Sequence, residues 1–141
     1  MAPKDPKLEL LRSIPLFAGL GGHELQRLGQ LTDEIDVPAG KVLMRQGEHG
    51  AEAFIIAGGR VAVERDGGLI AERGPGEVLG EIAILSEGPR TATVTTTEPS
   101  RLFVIGHREF HALMSEMPAI RLQVLDVLAR RIRSLDVGTA H

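Results

Sequence analysis

The sequence predicts a mainly β protein: an eight-stranded β-roll or jelly-roll barrel with N-terminal helices before it and two C-terminal helices after it. Three observations lead there. About eight short runs of apolar or β-branched residues follow one another closely between Thr32 and Ile105. Turn residues separate them, with 17 glycines and 8 prolines among 141 residues. Helical periodicity is confined to the two ends of the chain.

Taken in order, Leu8 to Leu11 begins a short helical stretch that Pro15 interrupts, because proline lacks the amide a helix interior needs. Gly21 to Leu31 reads as a helix with Leu25, Leu28 and Leu31 on one side. From Thr32 the texture changes to strands: Glu34–Val37, then Lys41–Met44 after the turn Pro38-Ala39-Gly40. Ala53–Ala57 is an apolar run, and Gly58-Gly59 turns it into Arg60–Glu64. Asp66-Gly67-Gly68 supplies the positive φ of a tight hairpin, so Leu69–Glu72 pairs back on that strand. Val78-Leu79 leads into a glycine-rich segment, Thr91–Thr97 is rich in β-branched residues, and Arg101–Ile105 is the last strand.

His107–Met117 then forms a helix with Phe110, Leu113 and Met114 inward, and Pro118 suits the first turn of another that runs to about Leu135. In this last helix Ile120, Val124, Val127, Leu128 and Leu135 share a face that Leu125 and Ile132 widen, with Gln123, Asp126, Arg130, Arg133 and Ser134 opposite. So wide a stripe either closes the core or leaves surface for a ligand lid or a partner helix. A single domain over residues 1–141 is expected, its core about 16–135, with flexible tails at 1–7 and 136–141. Nothing after Leu135 is long enough for a second domain. The chain is therefore expected to act through contacts or to be a piece of a longer regulator.

Composition narrows the function. No apolar run approaches the roughly 18 residues of a membrane span, and Met1–Pro6 lacks the apolar stretch of a secretory signal. The absence of cysteine removes disulfides and cysteine-ligated metals and fits a cytoplasmic location. A net charge of −3 argues against direct nucleic-acid contact, and with phenylalanine the only aromatic there is little to stack bases on. Arg130, Arg131 and Arg133 read as a solvated helix end.

The chemistry concentrates between Gly80 and Thr91. Gly80 permits a sharp turn and a close backbone approach, and Glu81–Leu85 can form one helical turn before Gly88-Pro89 ends it. N–H groups at a helix start suit an anionic oxygen. Arg90, returning beside that turn, offers two parallel donors to the same phosphate. The Glu81 carboxylate accepts hydrogen bonds and repels anions, so it suits a sugar hydroxyl. A hydroxyl acceptor and a phosphate fork on one short segment describe a site for a sugar phosphate. The bland alternatives are an acidic residue in a first turn, a surface pair of Arg90 with Glu87, and a plain strand residue at Thr91.

Gly80-Glu81-Ile82-Ala83, followed after a short helix and loop by Pro89-Arg90-Thr91-Ala92-Thr93-Val94, resembles the phosphate-binding cassette of the cyclic nucleotide-binding domain family, the regulatory domain type of catabolite activators and protein kinase A regulatory subunits. Arg45-Gln46-Gly47-Glu48 and Ala53–Val63 are similar to the family's glycine-containing strand pairs, and the likeness covers about Leu16 to Leu135. The resemblance implies a non-catalytic sensor of a 3′,5′-cyclic nucleotide that relays occupancy through its C-terminal helix to a partner or attached domain. It implies that Glu81 accepts the ribose 2′-hydroxyl, that Arg90 pairs with the phosphate, that backbone groups around Gly80, Ile82 and Ala83 complete the pocket, and that Thr91 adds a hydroxyl. Cyclic AMP is the commoner ligand of the family, while Thr91 leaves cyclic GMP open. Leu79 stands where many members carry Phe, a change of packing only. Ile120, Val124, Leu128 and Ile132 are the candidate lid contacts.

No cofactor beyond that ligand and no metal is expected. His107 and His111 have the i, i+4 spacing of a metal pair, but a cupin-type metalloenzyme needs a third ligand that the sequence does not bring near. A ligand-free structural or dimerisation module of the same fold is the other alternative, and a homodimer through the C-terminal helix is compatible with either.

Overall fold

In the computed structural model, which describes residues 5–139, the chain forms two compact units. A helical unit takes both ends of the chain, Met1–Gly29 and Ala112–His141, and a β unit spans Gln30–His111. Much of the tails expected at 1–7 and 136–141 lies outside the described residues.

The helical unit begins with α1 (Pro6–Arg12). Asp5 caps it by accepting the Lys7 N–H at 2.9 Å, and proline fills the first helical position, where no amide is needed. A 3₁₀ turn (Pro15–Phe17) and α2 (Gly22–Gln30) follow. After α3 (His107–Glu116), α4 (Pro118–Thr139) packs on the 3₁₀ turn. Leu11, Leu16, Phe17, Leu25, Leu28, Ile120 and Val124 are buried, whereas of the stripe predicted on α4 Val127 and Leu128 are half-buried and Leu125, Ile132 and Leu135 are exposed, so only the first turns of that helix use it inward. Arg27 of α2 and Glu116 of α3 form an ion pair, Nε to Oε2 at 2.8 Å.

The β unit holds β1 (Asp33–Val37), β2 (Val42–Met44), β3 (His49–Gly50), β4 (Glu52–Gly58), β5 (Val61–Arg65), β6 (Gly68–Arg73), β7 (Val78–Leu79), β8 (Gly88–Pro89), β9 (Thr93–Thr96) and β10 (Ser100–Gly106). They form two four-stranded sheets, β1-β10-β4-β7 and β2-β9-β5-β6, the jelly-roll-like arrangement the sequence predicts. A small antiparallel ladder joins β3 to β8, pairing His49 with Pro89 and Gly50 with Gly88. Those two-residue strands are the ones the sequence does not mark, since two residues cannot show an alternation. Phe54, Ile56, Val61, Leu79, Val94 and Leu102 form the core cluster, each worth about 1.5–3 kcal/mol of transfer free energy. This core fixes the strands between which the Gly80–Thr91 segment hangs.

Candidate functional site

β7 pairs with β4 through Phe54↔Leu79 and Ile55↔Val78, and so delivers Gly80 to the start of β4. Gly80 takes φ 69° and ψ 29°, a left-handed conformation that other residues adopt only at a cost. The chain thereby turns into a 3₁₀ turn, Glu81–Ile84, closed by the Ala83 N–H on the Gly80 carbonyl at 3.0 Å. Two imidazoles from the start of α3 meet this turn. His107 Nδ1 lies 3.3 Å from the Ala83 carbonyl and His111 Nε2 lies 3.1 Å from that of Leu85, the rings being 4.1 Å apart. A carbonyl only accepts, so both of those ring nitrogens carry the proton. The i, i+4 spacing of His107 and His111 thus serves to hold the turn, a role not read from the sequence.

Arg90 follows β8 and is locked at the backbone: its N–H donates to the Glu48 carbonyl and its carbonyl accepts from the Gly47 N–H, both at 2.8 Å. Its guanidinium donates through Nη2 to the Glu52 carbonyl at 2.8 Å. The side chain lies where a Cβ on Gly50 would meet its Nε, and a Cβ on Gly80 would stand 2.5 Å from Nη1. Glycine at both positions therefore makes the cradle in which the guanidinium rests. Burial lowers the Arg90 pKa from its ordinary value, and the Glu52 carboxylate acts against that shift. Arginine nevertheless stays charged at any physiological pH. Glu87 is engaged elsewhere, with His49 at 3.1 Å, so a surface pair of Arg90 with Glu87 does not form.

Beside this cradle opens a cavity of about 570 Å³, a volume that suits a small-molecule ligand. Gly80, Ile82, Ala83, Arg90 and Thr91 all line it, so five of the six predicted ligand residues come together. Glu81 does not line it: the residue is half-buried, with Oε2 shielded from solvent. Both polar backbone groups of Ala83 are engaged, with Gly80 and His107, so here it contributes shape. Thr91 is exposed, and its carbonyl accepts from Arg65 Nε at 3.0 Å. The rest of the wall is largely apolar, with Met44, Val63, Ile70, Ala71 and Val94 among its residues, and it also includes the charged Arg65, Arg73 and Glu87.

Of the four residues considered for a lid, Ile120 and Val124 are core residues of the helical unit, Leu128 is half-buried, and Ile132 is exposed. Gly50, Glu52 and Arg65 belong to the site and were not singled out from the sequence. Gly50 sits 40 positions before Arg90, and no local pattern announces that contact.

Comparison with known proteins agrees with this geometry. A family model described as cyclic nucleotide-binding domain matches residues 34–117. The chain is 31% identical over 132 residues to the cyclic AMP receptor protein of Thermus thermophilus, covering 90% of this chain and 61% of that protein. It spans about three fifths of the length of that protein and of a CRP-like regulator of Mycobacterium tuberculosis, and about a third or less of other curated relatives it matches. Among solved structures, the N-terminal domain of a transcriptional regulator from Streptomyces coelicolor superimposes with a TM-score of 0.88 at 29% identity, over 94% of this chain and 96% of that one. The regulatory domain of Toxoplasma gondii PKA, solved with cAMP, gives 0.72 at 29% identity over 79% and 46%.

Proposed function

The chain belongs to the cyclic nucleotide-binding domain family, and from that premise we propose that it is a non-catalytic sensor whose cavity takes a 3′,5′-cyclic nucleotide, with cyclic AMP as the first candidate and cyclic GMP as the second. The observation that carries the reading is the cradle of Arg90. A permanently charged fork rests between two glycines at the mouth of a ligand-sized cavity, and its hydrogen bond runs to a carbonyl. Taking a cation out of water is costly unless an anion meets it. A cyclic phosphate supplies an anion in addition to the Glu52 carboxylate, and two acceptors for the fork.

The other roles belong to the same proposal. Glu81 lies between Gly80 and Ile82, both on the wall, and a change of rotamer carries its carboxylate to a ribose 2′-hydroxyl. Thr91, next to Arg90 on the cavity wall, is assigned a hydroxyl contact to the ligand. Occupancy is relayed through α3, because His107 and His111 grip the 3₁₀ turn of the cassette and the α3 start donates its N–H to the Ala51 carbonyl at 2.7 Å. Leu128 and Ile132 of α4 stay in the proposal as candidate lid contacts, Leu128 being half-buried and Ile132 exposed. For Ile120 and Val124 to act as a lid they would have to leave their buried positions. A downstream partner or attached domain, a cytoplasmic location and a homodimer through α4 complete the proposal. No described helix is long and apolar enough to cross a membrane.

Calorimetric titration with cyclic AMP, cyclic GMP and 5′-AMP tests the reading. Saturable binding of a cyclic nucleotide and none of 5′-AMP is expected. Arg90→Ala should lower the affinity about a hundredfold or more, since hydrogen bonds to a charged group contribute about 1.5–3 kcal/mol each. A folded wild-type chain that binds neither cyclic nucleotide would leave a ligand-free module as the better reading.

A further inference from the structure

The β5–β6 hairpin supplies Arg65, Ile70, Ala71 and Arg73 to the cavity wall. β6 is the edge strand of its sheet, paired among the described strands with β5 alone, so no further strand supports this wall. The hairpin ends in the two-residue turn Asp66–Gly67 between the paired Arg65 and Gly68, and Asp66 is the one described non-glycine residue with positive φ, 53°.

This tip is gripped from outside the hairpin by one side chain. Gln46 Oε1 accepts the Asp66 N–H at 2.8 Å, and Gln46 Nε2 donates to Asp66 Oδ1 at 2.9 Å. Gln46 is itself anchored where the cassette leaves the site. Its N–H donates to Thr93 Oγ1 at 3.0 Å, and the next amide, of Gly47, donates to the Arg90 carbonyl at 2.8 Å. Arg65 adds a parallel tie, Nε to the Thr91 carbonyl at 3.0 Å. The hairpin wall and the Arg90 backbone are thus joined through residue 46.

We propose that Gln46 is a positioning residue for the ligand: by clasping Asp66 it holds the β5–β6 wall at a set distance from the Arg90 anchor, so that the cavity is formed before the ligand arrives. The inference rests on the reading of this cavity as a cyclic-nucleotide site. A primary amide is needed because Asp66 presents one donor and one acceptor side by side. A carboxylate at position 46 satisfies the donor but sets two negative groups against each other. Preformed walls raise affinity because less ordering is left to occur on binding.

The test uses the full chain, with cyclic AMP and cyclic GMP titrated by calorimetry and hairpin amides followed by hydrogen exchange without ligand. Gln46→Ala and Gln46→Glu are each expected to weaken cyclic-nucleotide binding about tenfold and to speed exchange across residues 66–72. Gln46 is exposed, so global stability should barely move. The double variant Gln46→Glu/Asp66→Asn reverses donor and acceptor across the clasp. It is expected to restore affinity to within about twofold of wild type. Unchanged affinity in both single variants, or a double variant no better than Gln46→Glu, overturns the proposal. If wild type binds neither nucleotide, the ligand reading itself has failed and the ligand role of Gln46 falls with it. The exchange rates then decide only whether the clasp exists.

Discussion

At the scale of single residues, the site is decided by what is missing as much as by what is present. Gly50 has no side chain, and the Arg90 guanidinium occupies the space a methyl would take. Unlike Gly80, Gly50 does not have a positive φ, so alanine there is not opposed by the backbone. Gly50→Ala is therefore expected to fold and to displace the arginine, because the far end of a long side chain gives way more easily than a paired strand. Cyclic-nucleotide affinity should fall about tenfold or more while the thermal midpoint changes little, since a charged fork that loses its alignment loses most of its paired bonds. Equal affinity in the alanine variant, read by the same titration, would show that Arg90 binds from more than one position. Glu81 makes a complementary point. Its type and place in the cassette are visible in the sequence, whereas its absence from the cavity wall and the shielding of its Oε2 are seen only in the folded chain.

At the scale of elements, the joints rather than the helices and strands carry the regulation that we infer. His107 and His111 bind the 3₁₀ turn, and Arg27 ties α2 to the end of α3 through Glu116. The hydrogen bond from Arg27 holds the Glu116 carboxyl below the ordinary value of 4.5, with desolvation acting against it and the charges of Arg27 and His23 adding to it. The folded-state pKa is thus the lower one. The stabilisation it brings is complete above the unfolded value and is lost as the pH falls through the folded value. Glu116→Gln should accordingly flatten part of the acid limb of a plot of thermal midpoint against pH, below about pH 4.5. Parallel curves for variant and wild type would show that the exposed pair does not act on stability, as many surface pairs do not. Asp36, lowered in the same way by Arg101, is expected to remain as a second contributor on that limb.

At the scale of the whole molecule, α4 has far more apolar surface than its buried residues use. Leu122, Leu125, Ile132 and Leu135 are 68%, 57%, 61% and 70% exposed. Leu122, Leu125, Ala129 and Ile132 are spaced 3, 4 and 3 residues apart, the repeat with which two helices pack along a shared seam. The proposed homodimer uses this face. Sedimentation or light scattering should find a dimer that Leu125→Glu together with Ile132→Glu converts to monomer. A wild-type chain that stays monomeric at tens of micromolar (roughly the range where weak interfaces of standard size assemble) would remove the dimer from the proposal.

The sequence alone determined a good deal of this protein. The two textures, helical at the ends and strand-rich between Asp33 and Gly106, were legible because periodicity and turn chemistry are properties of neighbouring residues. The cassette from Gly80 to Thr91 and its arginine were legible for the same reason: the glycine, the short turn and Arg90 lie within one short stretch of chain. The tertiary structure alone decided which distant residues share the site. Gln46 meets Asp66 across 20 positions, Arg90 meets Glu52 across 38, and His107 meets Ala83 across 24. It also produced the β3–β8 ladder and fixed which strands share each of the two four-stranded sheets. Such pairings depend on sheet register and on how side chains fill a shared core, and a one-residue shift in register changes every one of them without altering any local pattern.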